Sequence, residues 1–379
     1  MKGGTTGEVF RAFLRLGLTS FGGPVAHLGY FRAEFVERRR WLDDRAFSDL
    51  VALCQFLPGP ASSQTGFALG LLRGGYRGAL AAWAGFTLPS ALLLVLFAYG
   101  AGRIEGSAAG QGLLHGLKLV AVAVVAQAVW GMARTLCPDR PRAAIGTAAA
   151  VLLLAAPGAA TQVGAIVLGG LAGLFLTAPA STAHAPSGLR VGRRVGMACL
   201  ALYALLLVLP LPPLLGAVYR AGALVFGGGH VVLPLLRDAV VTPGLVSQDA
   251  FLAGYGAAQA VPGPLFTFAA YLGAVAAGVP GAAVALVAIF LPGILALLGV
   301  LPFWEDLRAH PRAQAAMRGI NAAVVGILGA ALYTPVWTSA VLRPADVALA
   351  LVGFVLLTVW RAPPLVVVAL GAAGGVLFG

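Results

Sequence analysis

Long apolar runs, separated by short polar or basic segments, make up most of this chain. In the first half they cover 8–29, 46–72, 76–100, 112–136, 143–156 and 160–177. In the second half they cover 213–240, 249–272, 279–302, 313–336, 345–360 and 363–378. One further run, 195–210, has no partner in the first half, which brings the elements to thirteen. Runs of about 20 apolar residues predict helices that cross a membrane. The predicted class is therefore an all-α polytopic membrane protein. The runs at 143–156 and 160–177 are short for a span.

Several runs are interrupted, and the interruptions recur. Pro58-Gly59-Pro60 and Pro262-Gly263-Pro264 lie inside apolar stretches, each preceded at the same distance by a Gln (Gln55, Gln259) and a Phe (Phe47, Phe251). Upstream of each is a second marker, Phe21-Gly22-Gly23 and Phe226-Gly227-Gly228. Two prolines and a glycine cannot continue a helix. In lipid the freed backbone groups must be buried in protein or face a water-filled cavity. Two broken membrane segments at matching places in two halves point to the substrate site of a transporter.

The repeat extends beyond these markers. Gly85-Phe86-Thr87-Leu88-Pro89 matches Ile289-Phe290-Leu291-Pro292, Gly116-Leu117-Lys118 matches Gly319-Ile320-Asn321, and Pro141 matches Pro344. Trp41, aligned with Leu245, departs from the symmetry. The expected organisation is a first repeat over 1–177, a linker with the unpaired helix over 178–212, and a second repeat over 213–379.

Charge adds an orientation. Apolar residues make up 60% of the chain and charged residues 10%, well under the roughly 25% of soluble domains. The net charge of +12 comes from arginines in loops, as expected for cytoplasmic anchoring of a membrane protein. Scattered in this way, they do not suggest nucleic-acid binding. Arg32, Arg38, Arg39, Arg40 and Arg45 follow the first run, whereas the equivalent second-half loop has Arg237 with Asp238 and Asp249. Later the bias reverses: loop 303–318 has Arg308, Arg312 and Arg318 against Arg103 and Glu105. Reversed bias is the signature of inverted repeats. It fits broken, re-entrant first segments in each half, a cytoplasmic N-terminus and an external C-terminus.

The candidate chemistry favours an anion. After Pro60 the chain reads Ala61-Ser62-Ser63-Gln64-Thr65, so a helix start offers free N–H groups and its dipole beside hydroxyl donors. After Pro264 the hydroxyl is Thr267 among Leu265, Phe266 and Phe268, so the two tips are not equivalent. Gly22, Gly23, Gly227 and Gly228 allow close backbone approach. His27 and His230 follow them, as structural hydrogen-bonders or proton relays. Lys118, with Asn321 at the matching position, is an intramembrane charge, an anion ligand or a snorkelling anchor. Arg11 and Arg15 share a helix face. Gln55 and Gln259 could donate to an oxyanion or cap backbone. The cysteines Cys54, Cys137 and Cys199 have no motif spacing, and no Walker A sequence, metal-ligand cluster or Ser/His/Asp set is present. No enzyme activity, cofactor or metal is expected.

FGGPVAHLGYFRAEFVERRRWL, LVALCQFLPGPASSQTGFALG, VFGGGHVVLPLL, GYGAAQAVPGPLFTFAAYLG, FLPGILALLGVLPFW and GINAAVVGILGAALYTPVW closely resemble, in order, the signatures of the chromate ion transporter (CHR) family. The resemblance covers almost the whole chain, as a long-chain, two-domain member. It implies a secondary transporter in the cytoplasmic membrane that exports chromate and confers chromate resistance. Sulfate or another tetrahedral oxyanion, carried by a transporter, an exchanger or an anion channel, is the alternative, and a homo-oligomer is left open. The resemblance also implies that Gly22, Gly23, Pro58, Gly59, Pro60, Gly263 and Pro264 matter for transport. The expected substrate-binding set comprises these residues with Gln55, Ser62, Ser63, Lys118, Gly227, Gly228, Gln259, Pro262 and Thr267.

Overall fold

A computed structural model describes residues 4–21, 23–104, 107–176, 191–226 and 229–378. Among them there is helix and no strand. The first half contains α1 (Thr6–Thr19), α2 (Gly23–Phe31), α3 (Asp44–Phe56), α4 (Ala61–Ile104), α5 (Ala108–Leu136), α6 (Arg140–Ala155) and α7 (Ala159–Gly173). Helix α8 (Arg193–Val208) is the unpaired element. The second half contains α9 (Pro213–Ala223), α10 (Val232–Val240), α11 (Gln248–Ala258), α12 (Phe268–Val300), α13 (Trp304–Ala309), α14 (Pro311–Ala331), α15 (Thr338–Ala340), α16 (Pro344–Thr358) and α17 (Pro364–Phe378).

The expected runs 8–29, 46–72, 213–240 and 249–272 are each broken at their Gly or Pro-Gly-Pro marker. Two expected loops prove helical. After α2 the chain continues as a π-helix over Arg32–Arg38, and the segment 303–318 is taken up by α13 and the start of α14. Local capping sets several helix starts. Thr5, Asp43, Ser107 and Ser247 each accept a backbone N–H of the first turn. Asp139 does the same for α6, and its hydrogen bonds from Arg142 hold its carboxyl below the usual range.

The helices α4 and α12 are each two legs joined at a glycine hinge. Gly74 (φ −139°) and Gly75 (φ 62°) in α4 are matched by Ala277 (φ −151°) and Gly278 (φ 65°) in α12. Only glycine adopts the second conformation without strain. Beyond each hinge the legs touch backbone to backbone, Gly70 on Gly78 and Gly273 on Gly281, where any side chain would collide.

The halves are interlocked. Helix α17 packs on α5 through Gly112 and Gly116 against Gly375 and Gly371. Reciprocally, α7 packs on α14 through Gly169 and Gly173 against Gly319. Glycines four apart let helix backbones approach in a membrane, where burial of apolar area supplies no drive. Four described helices are long and apolar enough to cross a membrane, Ala61–Ala101, Ala108–Leu136, Leu265–Phe303 and Pro311–Ala340. At 16 residues α6 and α8 reach about 24 Å, short of the roughly 30 Å hydrocarbon core. Leu92, Leu96, Leu168 and Trp360 stand exposed around the outside. Such a surface suits lipid rather than water.

Candidate functional site

The two Pro-Gly-Pro tips take the same backbone shape. The residue before a proline is driven out of the helical region, and α3 ends accordingly with Leu57 extended (ψ 154°). Gly59 (φ 115°) and Gly263 (φ 99°) then turn the chain through conformations that favour glycine.

Each tip bonds to the other half. The Gly59 N–H donates to the Val225 carbonyl at 2.7 Å, and the Gly263 N–H donates to the Ser20 carbonyl at 2.9 Å. Ser20 and Val225 immediately precede the two Phe-Gly-Gly markers. Each tip also sits beside an in-helix proline of the other half's long helix. A side chain on Gly59 would meet the Gly293 Cα at 2.9 Å, next to Pro292. One on Gly263 would meet the Ser90 Oγ at 2.9 Å and the Phe86 carbonyl at 3.1 Å, next to Pro89. All four helix breaks are thus tied together in two reciprocal pairs. Gln64 fastens the first pair, its Nε2 donating to the Pro58 and Gly293 carbonyls at 2.9 Å each.

Around these joints polar groups are buried with hydrogen-bonding capacity left over. Ser20 Oγ, both ring nitrogens of His27, Ser63 Oγ, Gln64 Oε1 and Thr87 Oγ1 have no protein partner. Leaving one such group unsatisfied costs about 1–3 kcal/mol, so a cluster marks a place that water or a ligand completes. Contacts place Ser20, His27 and Thr87 at the second tip. The His27 ring meets Phe86 edge-on at 5.2 Å, Thr87 follows Phe86, and Ser20 carries the bond to Gly263. Ser63 and Gln64 belong to the first tip. Other hydroxyls are spent on their own backbone: Thr65 on Ala61 at 2.8 Å, Thr267 on Pro264 at 2.7 Å and Ser90 on Thr87 at 3.0 Å.

The expected site residues therefore separate. Pro58, Gly59, Pro60, Ser62, Ser63, Pro262, Gly263, Pro264 and Thr267 come together at the tips. Gly23 (φ 80°) opens α2 just past the first break. Gly22, Gly227 and Gly228 lie outside the described residues. Gln55 is exposed, and Gln259 donates back to the Tyr255 carbonyl at 3.3 Å. Lys118 is engaged elsewhere. Leu117 packs on Gly256, but the Lys118 ammonium reaches towards the start of α11, 2.9 Å from Asp249 Oδ1. Ser20, Gln64 and Thr87 were not singled out from the sequence. Their available signal was polarity inside an otherwise apolar run.

The chemistry of the tips is donor-rich. No acidic residue occurs between Asp49 and Glu105 or between Asp249 and Glu305, the two stretches that carry the tips and long helices. Hydroxyls, a primary amide, imidazole and backbone N–H groups suit an oxyanion. Among the described residues no cluster of His, Cys, Asp or Glu could hold a metal ion.

Comparison with known proteins gives the family. The profile of the chromate transporter family matches residues 7–174 and 212–376. The chain belongs to the chromate transporter family. It is 31% identical to the chromate transport protein of Pseudomonas aeruginosa, over 97% of this chain and 90% of that protein. It is 30% identical to the chromate transport protein of Cupriavidus metallidurans, over 86% and 82%. With the probable chromate transport protein of Synechococcus elongatus it shares 27% identity, over 98% and 95%. No solved structure matches the chain. Membership of this family makes the protein a membrane transporter.

Proposed function

We propose that this protein carries chromate, a tetrahedral dianion, out of the cytoplasm across the inner membrane, and so confers chromate resistance. The observation that carries the reading is the pair of crossed tips, Gly59 to Val225 and Gly263 to Ser20, surrounded by buried donors without partners. Backbone N–H groups at a helix start and neutral hydroxyl, amide and imidazole groups bind an oxyanion without a fixed countercharge. The anion can therefore leave again. Two tips of like backbone, each held by the other half, supply a joint about which the halves rock to expose the site alternately. The halves are inverted relative to one another, as the reversed arginine bias of their loops supports.

The test is chromate flux into and out of liposomes containing the purified protein, with sulfate, molybdate and phosphate as competitors. Saturable chromate flux, driven against its gradient by a proton or counter-anion gradient, supports the reading. Sulfate outcompeting chromate would reassign the substrate, and flux that never saturates would make the protein a channel. Cysteines placed at Arg40 and at Gly244 should label from opposite sides of the membrane. Labelling from one side would end the inversion.

A further inference from the structure

A cavity of about 870 Å³ opens between α7, α9, α10 and the turn that ends at Leu245. Its lining runs the length of α9, from Pro213 at the helix start to Leu224 at its end. Leu224 adjoins Val225, whose carbonyl holds Gly59 of the first tip. The cavity therefore ends one residue from the carbonyl that holds the first tip.

Its wall carries one uncommitted charge. Arg220 lies one turn above Leu224, is exposed to the cavity, and forms no ion pair among the described residues. Its guanidinium folds over Gly216, where a side chain would come within 3.2 Å of it. The acid on the same wall, Asp238, is occupied: Arg237 stands 3.1 Å away, and the Gln162 Nε2 donates to it at 2.5 Å. Gln162 is buried in the lining, and its Oε1 has no partner. A guanidinium in hydrocarbon is strongly unfavourable, so a lipid-filled groove does not fit. Water does: at about 30 Å³ per molecule the space holds many.

The first half keeps the arginine and differs at the residue opposite Leu245. Its counterpart of Arg220 is Arg15, and its counterpart of Leu245, a residue of the open lining, is Trp41. Trp41 is buried, with the Arg39 and Arg73 guanidinium groups 5.8 and 5.3 Å from its ring centre. Glu34 is 2.6 Å from Arg39 and Glu8 is 3.1 Å from Arg73. An aromatic ring beside paired charges thus stands where the second half has Leu245.

We propose that the cavity is the water-filled vestibule through which an oxyanion reaches the tips, and that Arg220 is the cation that draws it in. The proposal rests on the transport reading above and adds the route and its charge selectivity. A single unpaired positive charge in a narrow mouth raises the local concentration of anions and lowers that of cations.

The test uses full-length protein in which Cys54, Cys137 and Cys199 are replaced by Ser and the lining residue Ala217 by Cys. The rates of thiol modification by an anionic (sulfonatoethyl), a cationic (trimethylammonioethyl) and a neutral, lipid-soluble (benzyl) methanethiosulfonate are compared. The anionic reagent should react faster than the cationic one. Arg220→Gln should cut that ratio about tenfold, as expected for a unit charge within several ångströms in a wet cavity, and Arg220→Lys should keep most of it. In chromate flux, Arg220→Gln should raise KM with kcat unchanged. Reaction with the benzyl reagent alone would show a lipid-filled groove and overturn the proposal. An unchanged anion-to-cation ratio in Arg220→Gln would overturn it too. If the parent protein moves no chromate, the transport reading fails, and the thiol rates still decide whether the vestibule exists.

Discussion

The two tips are alike in backbone and unlike in side chains. Gly59 and Gly263 turn through similar φ angles, donate similar bonds across the molecule and press on the long helices beside matching prolines. Yet Ser20 in the first half faces Val225 in the second by repeat position, Ser63 faces Thr267, and Gln64 faces Phe268. The histidines differ in the same way. His27 is fully buried with neither nitrogen partnered, whereas the His230 Nδ1 is 2.5 Å from the Tyr255 hydroxyl. Tyr255 stands where the first half has Val51, and the two histidines themselves stand at different repeat positions, His27 opposite Val232 and His230 opposite Val25. The repeat thus preserves the geometry that breaks and joins helices, while free polarity is concentrated in the first half. Those first-half groups are shared between the tips, Ser63 and Gln64 at the first and Ser20, His27 and Thr87 at the second.

The most damaging substitutions should be those that ignore this difference. Gly59→Val and Gly263→Val each force a β-branched residue into a positive φ and onto backbone of the opposite half. Both should abolish chromate flux in liposomes at near-normal protein levels. Loss in one variant with full flux in the other would break the symmetry of the frame.

Next come the substitutions that should expose the difference. Ser62→Ala combined with Ser63→Ala should weaken equilibrium chromate binding at least tenfold, because a hydrogen bond to a charged group contributes about 1.5–3 kcal/mol. Thr267→Val should cost less affinity, since that hydroxyl is already bound to Pro264. Equal losses at the two tips would mean that both tips bind.

Tyr255→Phe sharpens the histidine contrast. It leaves His230 as bare as His27, which should lower stability by about 1–3 kcal/mol, read as a reduced melting temperature in detergent. Chromate affinity should hardly move. A large affinity loss there would place His230 in the site.

The smallest effect is expected at Lys118. Its ammonium is paired with Asp249, whose side chain is 72% exposed, so the pair resembles a surface ion pair contributing about 0–1 kcal/mol. Lys118→Ala should leave chromate affinity nearly unchanged and lower the melting temperature slightly. A tenfold affinity loss would return this lysine to the site.

Much of the fold could be read directly from residue order. The helix limits of 112–136, 143–156, 195–210 and 363–378 lie within a few residues of α5, α6, α8 and α17. The breaks fall at the glycine and proline markers because those residues act on their own backbone, whatever surrounds them. The π-helix after α2 and the short α13 were read as loops, since charged residues there mask helices held by neighbouring packing. At the candidate site, the two helix breaks at Pro-Gly-Pro were legible. The roles of Ser20, Gln64 and Thr87 were not, because each looks like an ordinary polar residue until its surroundings are known.

By itself the sequence determined a membrane protein of the chromate transporter family, a repeated pattern, and the four places where helices must stop. These follow from apolar run length and from the stereochemistry of single residues. The tertiary structure decided which break meets which. A Pro-Gly-Pro tip offers the same N–H to any carbonyl, and nothing local distinguishes a partner in its own half from one in the other. Packing of the long helices and their glycine crossings brings Gly59 to Val225 and Gly263 to Ser20. The same packing turns Lys118 to Asp249, satisfies His230, and leaves the donors of the first half free. Whether a polar group is free depends on every neighbour within about 3 Å, and those neighbours are set by contacts between residues far apart in the chain.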